Sequence, residues 1–567
     1  MGRDMTLEAR LERIAGGWRG PALAAFIAFL AGLPGLIAAP PLDRDESRFA
    51  QATAQMLESH DFVVIRYQDE PRFKKPVGIH WLQAASVSLT SDPEARAIWA
   101  YRLPSLLGAM LAAAACAWGA AAFFGAPAGL FAGAMLGTSL LLSTEAMIAK
   151  TDAVLCGTTT LALAALARIY AAARDGPPAP RRAVWVFWTA VGVATLVKGP
   201  VGPMVVALAI VLLAIVDRRP GWLLGLKWWW GLIIVAVIVG PWAGAVTVAT
   251  DGGFWSAALG GDLAPKLAGG QETHGAPPGY HTLLAPLLTF PMTLMLPAAA
   301  VVAWRRRHEP GVRFALAWLI PSWLVFEAMP TKLVHYPLPT YGALAWLAAA
   351  ALTQPLGPRV RWTGAALGAL FGLLLAGAVL YLLSAYGDPK AFVALLAAIV
   401  AAALLAGAGL AGAWLLTRNR PHQALAAAIA CGALGHAVLL AGLAPRLAPL
   451  WLSARTEAAM ERARLLPRQG IADAPVAVAG YAEPSLVFAL GTATELADAQ
   501  AAAEAIAENR PAVVESRQDA AFRAALKAAG VEALQVGEVN GLDYSNGDHM
   551  SLRIYEGRGT AEGEAQP

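Results

Sequence analysis

Long apolar stretches recur along almost the whole chain, and their length constrains the fold more than any other feature. A helix that crosses a bilayer needs about 20 mostly apolar residues. Charged residues make up only 14% of the 567 residues, against roughly 25% in an ordinary soluble protein. The chain is therefore predicted to be an all-α polytopic membrane protein. About 13 spans are predicted near 21–40, 99–122, 126–145, 153–172, 183–198, 201–217, 228–248, 282–303, 314–329, 337–353, 363–384, 391–417 and 423–444.

Basic residues recur in alternate short loops, as expected of loops that remain cytoplasmic. They precede the first span and then return in every second loop except the very short turn near 123–125: Arg3, Arg10, Arg13, Arg19, Arg174, Arg181, Arg182, Arg218, Arg219, Lys227, Arg305, Arg306, Arg307, Arg313, Arg359, Arg361, Arg418 and Arg420. The first stretch is longer than a usual signal-peptide core, so it is predicted to be a span and not a cleaved leader. The alternation predicts a cytoplasmic N-terminus and, with an odd number of spans, an outer C-terminus.

The charge balance divides the chain into two parts. Basic residues outnumber acidic ones in residues 1–454, and the reverse holds in residues 455–567. The first part is predicted to be the membrane domain, with interfacial helices in the more polar outer segment 41–98. The second part is predicted to be a small α/β domain, because apolar runs alternate with alanine-rich helical stretches. The runs lie at 475–481, 485–490, 511–516 and 552–555, and the helical stretches at 497–508 and 518–529.

The composition disfavours a nucleic-acid-binding protein and a disulfide-stabilised one. The net charge of +4 is too small to indicate a nucleic-acid partner. The three cysteines all fall in apolar stretches, so they are predicted to be core residues without a disulfide.

Ionisable residues near membrane depth collect on the predicted outer side, where they are costly and are kept mostly for function. They are Asp43, Asp45, Glu46, Arg48, Arg72, Lys74, Lys75, His80, Glu145, Lys150, Asp152, Lys198, His274, His281, Lys332, His335 and Tyr336. Lysines neutralise phosphate oxygens, and a carboxylate acts as a base or supports a reacting centre electrostatically. Two acids among several lysines therefore suit an enzyme that acts on a phosphate-linked substrate delivered through the lipid phase.

Each of these residues also has a simpler interpretation. Lys198 and Lys332 could reach up to the lipid headgroups. Asp152 could be only a structural partner of Lys150 or Arg48, and His274 only a loop histidine. The convergence of all of them on one face is what favours a site.

Five motifs resemble those of bacterial polyprenyl-phosphate-sugar glycosyltransferases, a superfamily that includes the lipid A aminoarabinose transferases and the protein O-mannosyltransferases. The run DRDESRFA at 43–50 resembles their D-E-x-R-[YF]-A signature, and RFKKP at 72–76 resembles F-E-K-P. The other three are KTDA at 150–153, KGP at 198–200 and TKLVHYPLP at 331–339. No motif is specific alone, but their order and predicted sidedness agree throughout.

The resemblance implies the C-type glycosyltransferase fold and an inverting transfer from an undecaprenyl-phosphate sugar in the bacterial inner membrane. It implies that Asp45 and Asp152 are catalytic, and that Lys75, Lys198, Lys332 and Tyr336 bind the donor phosphate. Further pocket candidates are Glu46, Arg48, Lys74, His274 and His335. The expected acceptor is lipid A or another envelope glycan at the periplasmic face, and the other partners are membrane lipids.

One departure from the family pattern matters. Lys74 stands where relatives carry the Glu of F-E-K-P, and a lysine cannot replace a carboxylate as a zinc ligand. No metal or other cofactor is therefore expected. Lys74 either faces solvent or adds positive charge for an anionic donor sugar, which keeps uronic acid transfer open.

Two further interpretations compete with lipid A modification. The sugar could be transferred to a protein or to a different envelope glycan. A transporter or flippase should show repeat-related broken helices near the bilayer midplane, and no internal repeat is visible in the sequence.

Overall fold

The protein is described by a computed structural model that covers residues 7–218, 220–263, 275–467 and 475–557. Helices account for most of the first 450 residues. They are α1 Leu7–Ala15, α2 Arg19–Ala38, α3 Asp45–Ser59, α4 Gly78–Thr90, α5 Ile98–Phe124, α6 Ala126–Gly137, α7 Leu140–Glu145, α8 Asp152–Ala172, α9 Ala183–Lys198, α10 Val201–Asp217, α11 Trp228–Ala249, α12 Tyr280–Leu288, α13 Leu296–Arg305, α14 Pro310–Ala328, α15 Tyr341–Ala351, α16 Pro358–Tyr386, α17 Phe392–Thr417 and α18 Pro421–Val438.

Short elements connect these helices. The strands β1 Arg66–Tyr67 and β2 Glu70–Pro71 form an antiparallel pair between α3 and α4. Single turns of 3₁₀ or π helix lie at Pro93–Ala95, Pro220–Leu226, Ser256–Leu263, Met292–Met295, Leu338–Thr340, Leu439–Leu443, Ala444–Arg446 and Ala448–Leu450, and a three-residue helical turn lies at Gly253–Trp255.

The membrane spans follow the apolar pattern of the sequence. Eight described helices are long and apolar enough to cross a bilayer, and they become nine if Tyr280–Leu288 and Met292–Arg305, bent by 111°, form one span. Four shorter apolar helices, α6, α9, α10 and α15, coincide with the remaining predicted stretches. The multi-pass helical architecture is confirmed, and the total of 13 spans stays a prediction.

Small residues allow the central helices to approach closely, which is how helices associate in membranes. A Cβ atom added at Gly108 of α5 would lie 2.7 Å from backbone atoms of Ala153 and Val154 in α8. This contact holds the first turn of α8, which begins at Asp152, against α5.

The C-terminal part forms a mixed five-stranded sheet with order β4-β3-β5-β7-β6. Strand β3 pairs in parallel with β4 and β5, whereas β7 pairs antiparallel with β5 and β6. Its elements are α19 Leu452–Arg462, β3 Ala477–Ala479, α20 Pro484–Leu490, β4 Glu495–Ala497, α21 Ala499–Ala507, β5 Ala512–Glu515, α22 Asp519–Ala529, β6 Ala533–Asp543 and β7 Asp548–Gly557, with a 3₁₀ turn at Ser516–Gln518. The small α/β domain is thus confirmed.

One apolar run of this domain is helical where the alternation predicts a strand. Residues 485–490 belong to α20, whose side chains are all buried. Its five apolar residues, 486–490, are too short a run to distinguish a strand from a buried helix. Pro484 sits in the first turn, where its missing N–H is no loss, and Phe488 makes an edge-on contact with Tyr101 of α5 at 5.3 Å.

Candidate active site

Helix α3 begins at Asp45, and its first turn carries two acids with different surroundings. A helix N-terminus favours negative charge. Asp45 is exposed, whereas Glu46 is fully buried and forms two hydrogen bonds of 2.8 Å with Arg102 of α5. Both oxygens of Glu46 also accept backbone N–H bonds, from Leu42 and Ala149. Glu46 therefore ties α3 to α5 and does not join the charged cluster described next.

Asp152, the first residue of α8, lies at the centre of a cluster of charged side chains. Lys198 donates to its Oδ1 at 2.5 Å, Lys150 Nζ lies 3.7 Å from Oδ2, and His335 Nε2 lies 3.7 Å from Oδ1. Lys150 also contacts Glu145 at 3.0 Å. Asp152 is only 3% exposed, so its charge depends on these partners.

The chain forms this cluster because several helix ends meet there. Lys198 is the last residue of α9, where a cation interacts favourably with the helix dipole. Gly199 follows with φ 60°, a conformation that suits glycine, and it ends the helix before Pro200. The KGP motif thus directs a lysine towards the start of α8.

Asp45 faces the same group of cations. Partial desolvation by the surrounding protein works to raise the pKa of the Asp45 carboxyl, but Lys75, Lys150, Arg72 and His335 together hold the pKa below its usual value. The Asp45 carboxylate therefore stays ionised while remaining accessible to a substrate.

Lys75 lies over the ring of Phe49, with Nζ 4.9 Å from the ring centroid. Burial and the charge of Lys198 lower the pKa of Lys75 to about 8, although Asp45 and Asp152 act in the opposite direction. Tyr336 is placed under Lys198, with Nζ 5.8 Å from its ring centroid. Two lysines and one tyrosine from separate motifs thus approach the two acids.

His80 supports this arrangement from behind. Its ring stacks on Phe49 with centroids 5.4 Å apart, and its Nδ1 lies 2.8 Å from Thr53 Oγ1. Burial, with the nearby charges of Arg72 and Lys75, lowers the pKa of His80 to about 3, so the ring is neutral. Phe49 is therefore held between a neutral ring and the Lys75 ammonium.

Besides Glu46, three predicted candidates lie outside the cluster. Lys332 is buried and donates to the carbonyls of Glu327 and Met329 at the end of α14, so it closes a helix end. Arg48 and Lys74 line a neighbouring cavity of about 360 Å³ together with Arg72, Tyr67, Phe73 and Glu70. His274 lies outside the described residues.

Glu145 and Lys150 belong to the cluster although neither was assigned a role in the predicted site; Lys150 opens the KTDA motif. Both side chains are buried, and one oxygen of Glu145, Oε2, has no hydrogen-bond partner among the described residues. The available signal was their position beside Asp152 at a predicted outer junction.

The overall architecture matches known structures. The apo crystal structure of ArnT from Cupriavidus metallidurans superposes with a TM-score of 0.74 at 21% identity, covering 94% of this chain and 97% of that one. ArnT bound to undecaprenyl phosphate gives a TM-score of 0.71 at 21% identity, again covering 94% and 97% of the two chains. At that identity the likeness establishes the fold.

Sequence relatives agree with the fold. Residues 74–244 match the family model described as dolichyl-phosphate-mannose-protein mannosyltransferase. The undecaprenyl phosphate-alpha-4-amino-4-deoxy-L-arabinose arabinosyl transferase of Aeromonas salmonicida is 29% identical over 346 residues, which cover 59% of this chain and 62% of that protein. The enzyme of that name from Enterobacter sp. is 26% identical over 417 residues, or 71% and 72% of the two chains. The chain is thus similar in sequence and in fold to members of the ArnT/mannosyltransferase superfamily.

The resemblance indicated by the five motifs is thereby confirmed. The match to the Aeromonas salmonicida member spans less than two thirds of that protein's length. The family model covers the RFKKP, KTDA and KGP motifs but begins after Asp45. The comparisons therefore establish the fold and support the class, and the roles of individual residues stay predictions.

A metal of the kind held by some superfamily members does not fit the donor set at Lys74. The Lys74 side chain has three N–H donors and no free electron pair for a cation, and Arg48 and Arg72 line the same cavity. Among the described residues, no group of three His, Cys, Asp or Glu side chains is placed to hold a metal ion. The absence of a metal requirement stays a prediction.

Proposed function

We propose that this protein is an inner-membrane glycosyltransferase that moves a sugar from a polyprenyl-phosphate donor to an acceptor at the periplasmic face. The proposed sugar is 4-amino-4-deoxy-L-arabinose and the proposed acceptor is lipid A. The names of the curated relatives support both choices. The structure of ArnT with undecaprenyl phosphate supports the donor.

The cluster around Asp152 is the observation that carries this proposal. Three lysines and Arg72 surround three carboxylates, those of Asp45, Asp152 and Glu145, at the ends of helices α3, α7, α8 and α9. Fixed cations here suit a phosphate that becomes more negative as the sugar departs. A fixed carboxylate suits the positive charge that develops on the sugar ring.

The chemical step follows from these charges. An oxygen of the acceptor attacks the anomeric carbon, the bond from that carbon to the phosphate oxygen breaks, and the electron pair leaves with the polyprenyl phosphate. Asp45 is exposed and ionised, so it can accept the acceptor's proton or stabilise the sugar cation. Attack opposite to the leaving phosphate inverts the anomeric centre.

The donor phosphate would be bound by Lys75 and Lys198, with Tyr336 beside them. Lys198 is paired with Asp152 before substrate binds. Phosphate binding would add a second anion to this lysine, and Lys150 would continue to balance Asp152. Asp152 is thus proposed to position and balance the phosphate-binding lysines.

A second candidate donor carries an anionic sugar such as a uronic acid. The cavity lined by Arg48, Arg72 and Lys74 favours it, because among the described lining residues three cations face one acid, Glu70, and so attract a carboxylate. A glycan other than lipid A, or a protein, remains the alternative acceptor.

The orientation of the chain is part of the proposal. The alternation of basic loops places the N-terminus in the cytoplasm and the C-terminal domain in the periplasm. Reporter fusions after Gly387 and after Arg420 should report the outer and inner side respectively. Identical sidedness at both positions would overturn this layout.

The function is tested with purified full-length protein in lipid vesicles, lipid A, and synthetic undecaprenyl-phosphate sugars. We expect lipid A to gain the mass of one aminoarabinose, and we expect the modified lipid A to disappear from cells that lack the protein. A uronic acid donor assayed in parallel distinguishes the second candidate. Absence of transfer from every polyprenyl-phosphate sugar to every acceptor would refute the proposal.

A further inference from the structure

The residue immediately before Asp45 has an unusual backbone conformation. Arg44 adopts φ 62° and ψ −107°, which side chains other than glycine rarely allow. Such a conformation persists only where the surrounding structure holds it, and it is often found beside functional groups. The question is therefore what holds Arg44.

The contacts come from the C-terminal domain. Asp43 N–H donates to the hydroxyl of Tyr544 at 2.6 Å. Ser485 of α20 donates to the Asp43 carboxylate. Glu483 lies 3.4 Å from the Arg44 guanidinium. Three side chains that follow Asp45 by more than 430 positions thus hold the two residues that precede it.

The same domain also forms hydrogen bonds with the C-terminal half of α3. Thr492 accepts a hydrogen bond from Gln51 at 2.7 Å and donates to Glu58 at 2.6 Å. Arg96, which leads into α5, joins them by donating to Gln51 at 2.7 Å and to Thr492 at 3.0 Å. Helix α3 is therefore fastened to the C-terminal domain at both ends.

We infer that the C-terminal domain positions Asp45 for the transfer reaction through an interdomain clamp formed by Glu483, Ser485, Thr492 and Tyr544. This inference rests on the proposed function, because it assigns the clamp a role only if Asp45 serves the reaction. The clamp residues do not touch the substrate. They act through the backbone of residues 43–45 and through α3.

Loss of the clamp should change catalysis more than donor binding. Without Tyr544 the strained residue Arg44 can relax to a negative φ, which turns the first residue of α3 away from the cation cluster. Lys75, Lys198 and Tyr336 belong to the membrane domain, so the donor phosphate keeps its partners. The expected signature is a lower kcat at a nearly unchanged donor KM.

The test compares Tyr544→Phe with Tyr555→Phe in full-length protein. Tyr555 lies in the core of the same domain, and its hydroxyl donates a hydrogen bond to Asp519 of that domain and not to residues 43–45. We expect Tyr544→Phe to lower kcat about tenfold with the donor KM unchanged within about twofold, and Tyr555→Phe to retain the wild-type kcat. Amide hydrogen exchange at residues 42–48 should accelerate in Tyr544→Phe only.

Relief of the strain gives an independent readout. Arg44→Gly allows the same backbone conformation without steric cost, and it removes the ion pair between the half-exposed Arg44 and the buried Glu483, which is one contact of the clamp. The double variant Arg44→Gly/Tyr544→Phe should therefore regain part of the kcat lost in Tyr544→Phe. A purely structural hydrogen bond would show no such rescue.

Asp45→Asn is assayed alongside to separate the two ideas. Wild-type transfer by Asp45→Asn would refute the proposed reaction centre itself. An inactive Asp45→Asn together with a Tyr544→Phe that keeps wild-type kcat, or that raises only KM, would refute the clamp alone.

Discussion

Two groups of charged side chains meet at the start of α3, and their compositions are opposite. On one side, Asp45 faces Lys75, Lys150 and Arg72, which lower the pKa of its carboxyl. Two residues earlier, Asp43 turns towards the C-terminal domain. There, burial and the acids Glu483 and Asp543 raise the pKa of Asp43 to about 7, although hydrogen bonds with Ser485 and Tyr544 work to lower it.

This difference shows that partners, more than sequence neighbours, determine what an acid does. The cations on the first side would attract a phosphate, and they keep Asp45 ionised. On the acid-rich side the raised pKa of Asp43 favours its protonated form, and this carboxyl contacts Ser485 of the C-terminal domain. Glu46, bound to Arg102, anchors the helix between the two.

The largest expected effect tests the cation-rich side. Asp45→Asn and Asp152→Asn should each lower kcat by about 10²–10³-fold, as for loss of a fixed group that stabilises a transition-state charge. Steady-state transfer with purified protein measures the effect. Asp69→Asn, an exposed acid in the same outer segment, serves as the control and should retain wild-type kcat.

A second prediction uses the lowered pKa of Lys75. Lys75 carries its positive charge at pH values below its pKa of about 8 and loses the charge as the pH rises through that value. The donor KM of the wild type should therefore rise by up to about tenfold per pH unit above 8. Lys75→Arg, which stays charged, should show a flat donor KM up to pH 10. A parallel rise in both proteins would assign the pH dependence to another group.

The acid-rich side predicts a smaller effect on stability. A carboxyl with a raised pKa stabilises the docked domains while protonated; this stabilisation is lost as pH rises through about 7. Arg44, Glu483, Asp543, Tyr481 and Tyr544 are the titratable groups that surround it.

The unfolding temperature of the wild type should accordingly fall between pH 6 and pH 8. Asp43→Asn should reduce that fall by an amount on the order of 2 °C. Thermal unfolding of the purified protein at the two pH values measures it. An equal fall in both proteins would show that Asp43 does not titrate in this range.

The smallest expected effect concerns Lys74. If its cation contributes to donor choice, Lys74→Glu should weaken use of a uronic acid donor by about threefold to tenfold and spare an aminoarabinose donor. Lys74→Ala separates loss of the cation from gain of an acid. An unchanged donor preference would indicate that Lys74 faces solvent and takes no part in donor choice.

Chelators should leave wild-type transfer unchanged. Loss of activity that zinc restores would contradict the predicted absence of a metal.

Much of the architecture was predictable from local patterns. Apolar stretches of span length predicted nearly every membrane helix, because a bilayer requires backbone hydrogen bonds to close within a segment. The KGP motif predicted a break with a lysine at its edge, and the structure places Lys198 there. Short runs were less informative, as α20 shows, because five apolar residues in a row suit a strand or a buried helix equally.

The sequence by itself determined that this is a multi-pass membrane protein that resembles the superfamily, with two acids and several lysines predicted near one face. Only the tertiary structure decided how those charges divide. It paired Lys198 with Asp152, closed a helix end with Lys332, and locked Glu46 onto Arg102. It also brought Tyr544 to the residue beside a strained Arg44. Periodicity and spacing are local properties of the chain, whereas the energy of a charge depends on neighbours that folding brings from hundreds of residues away.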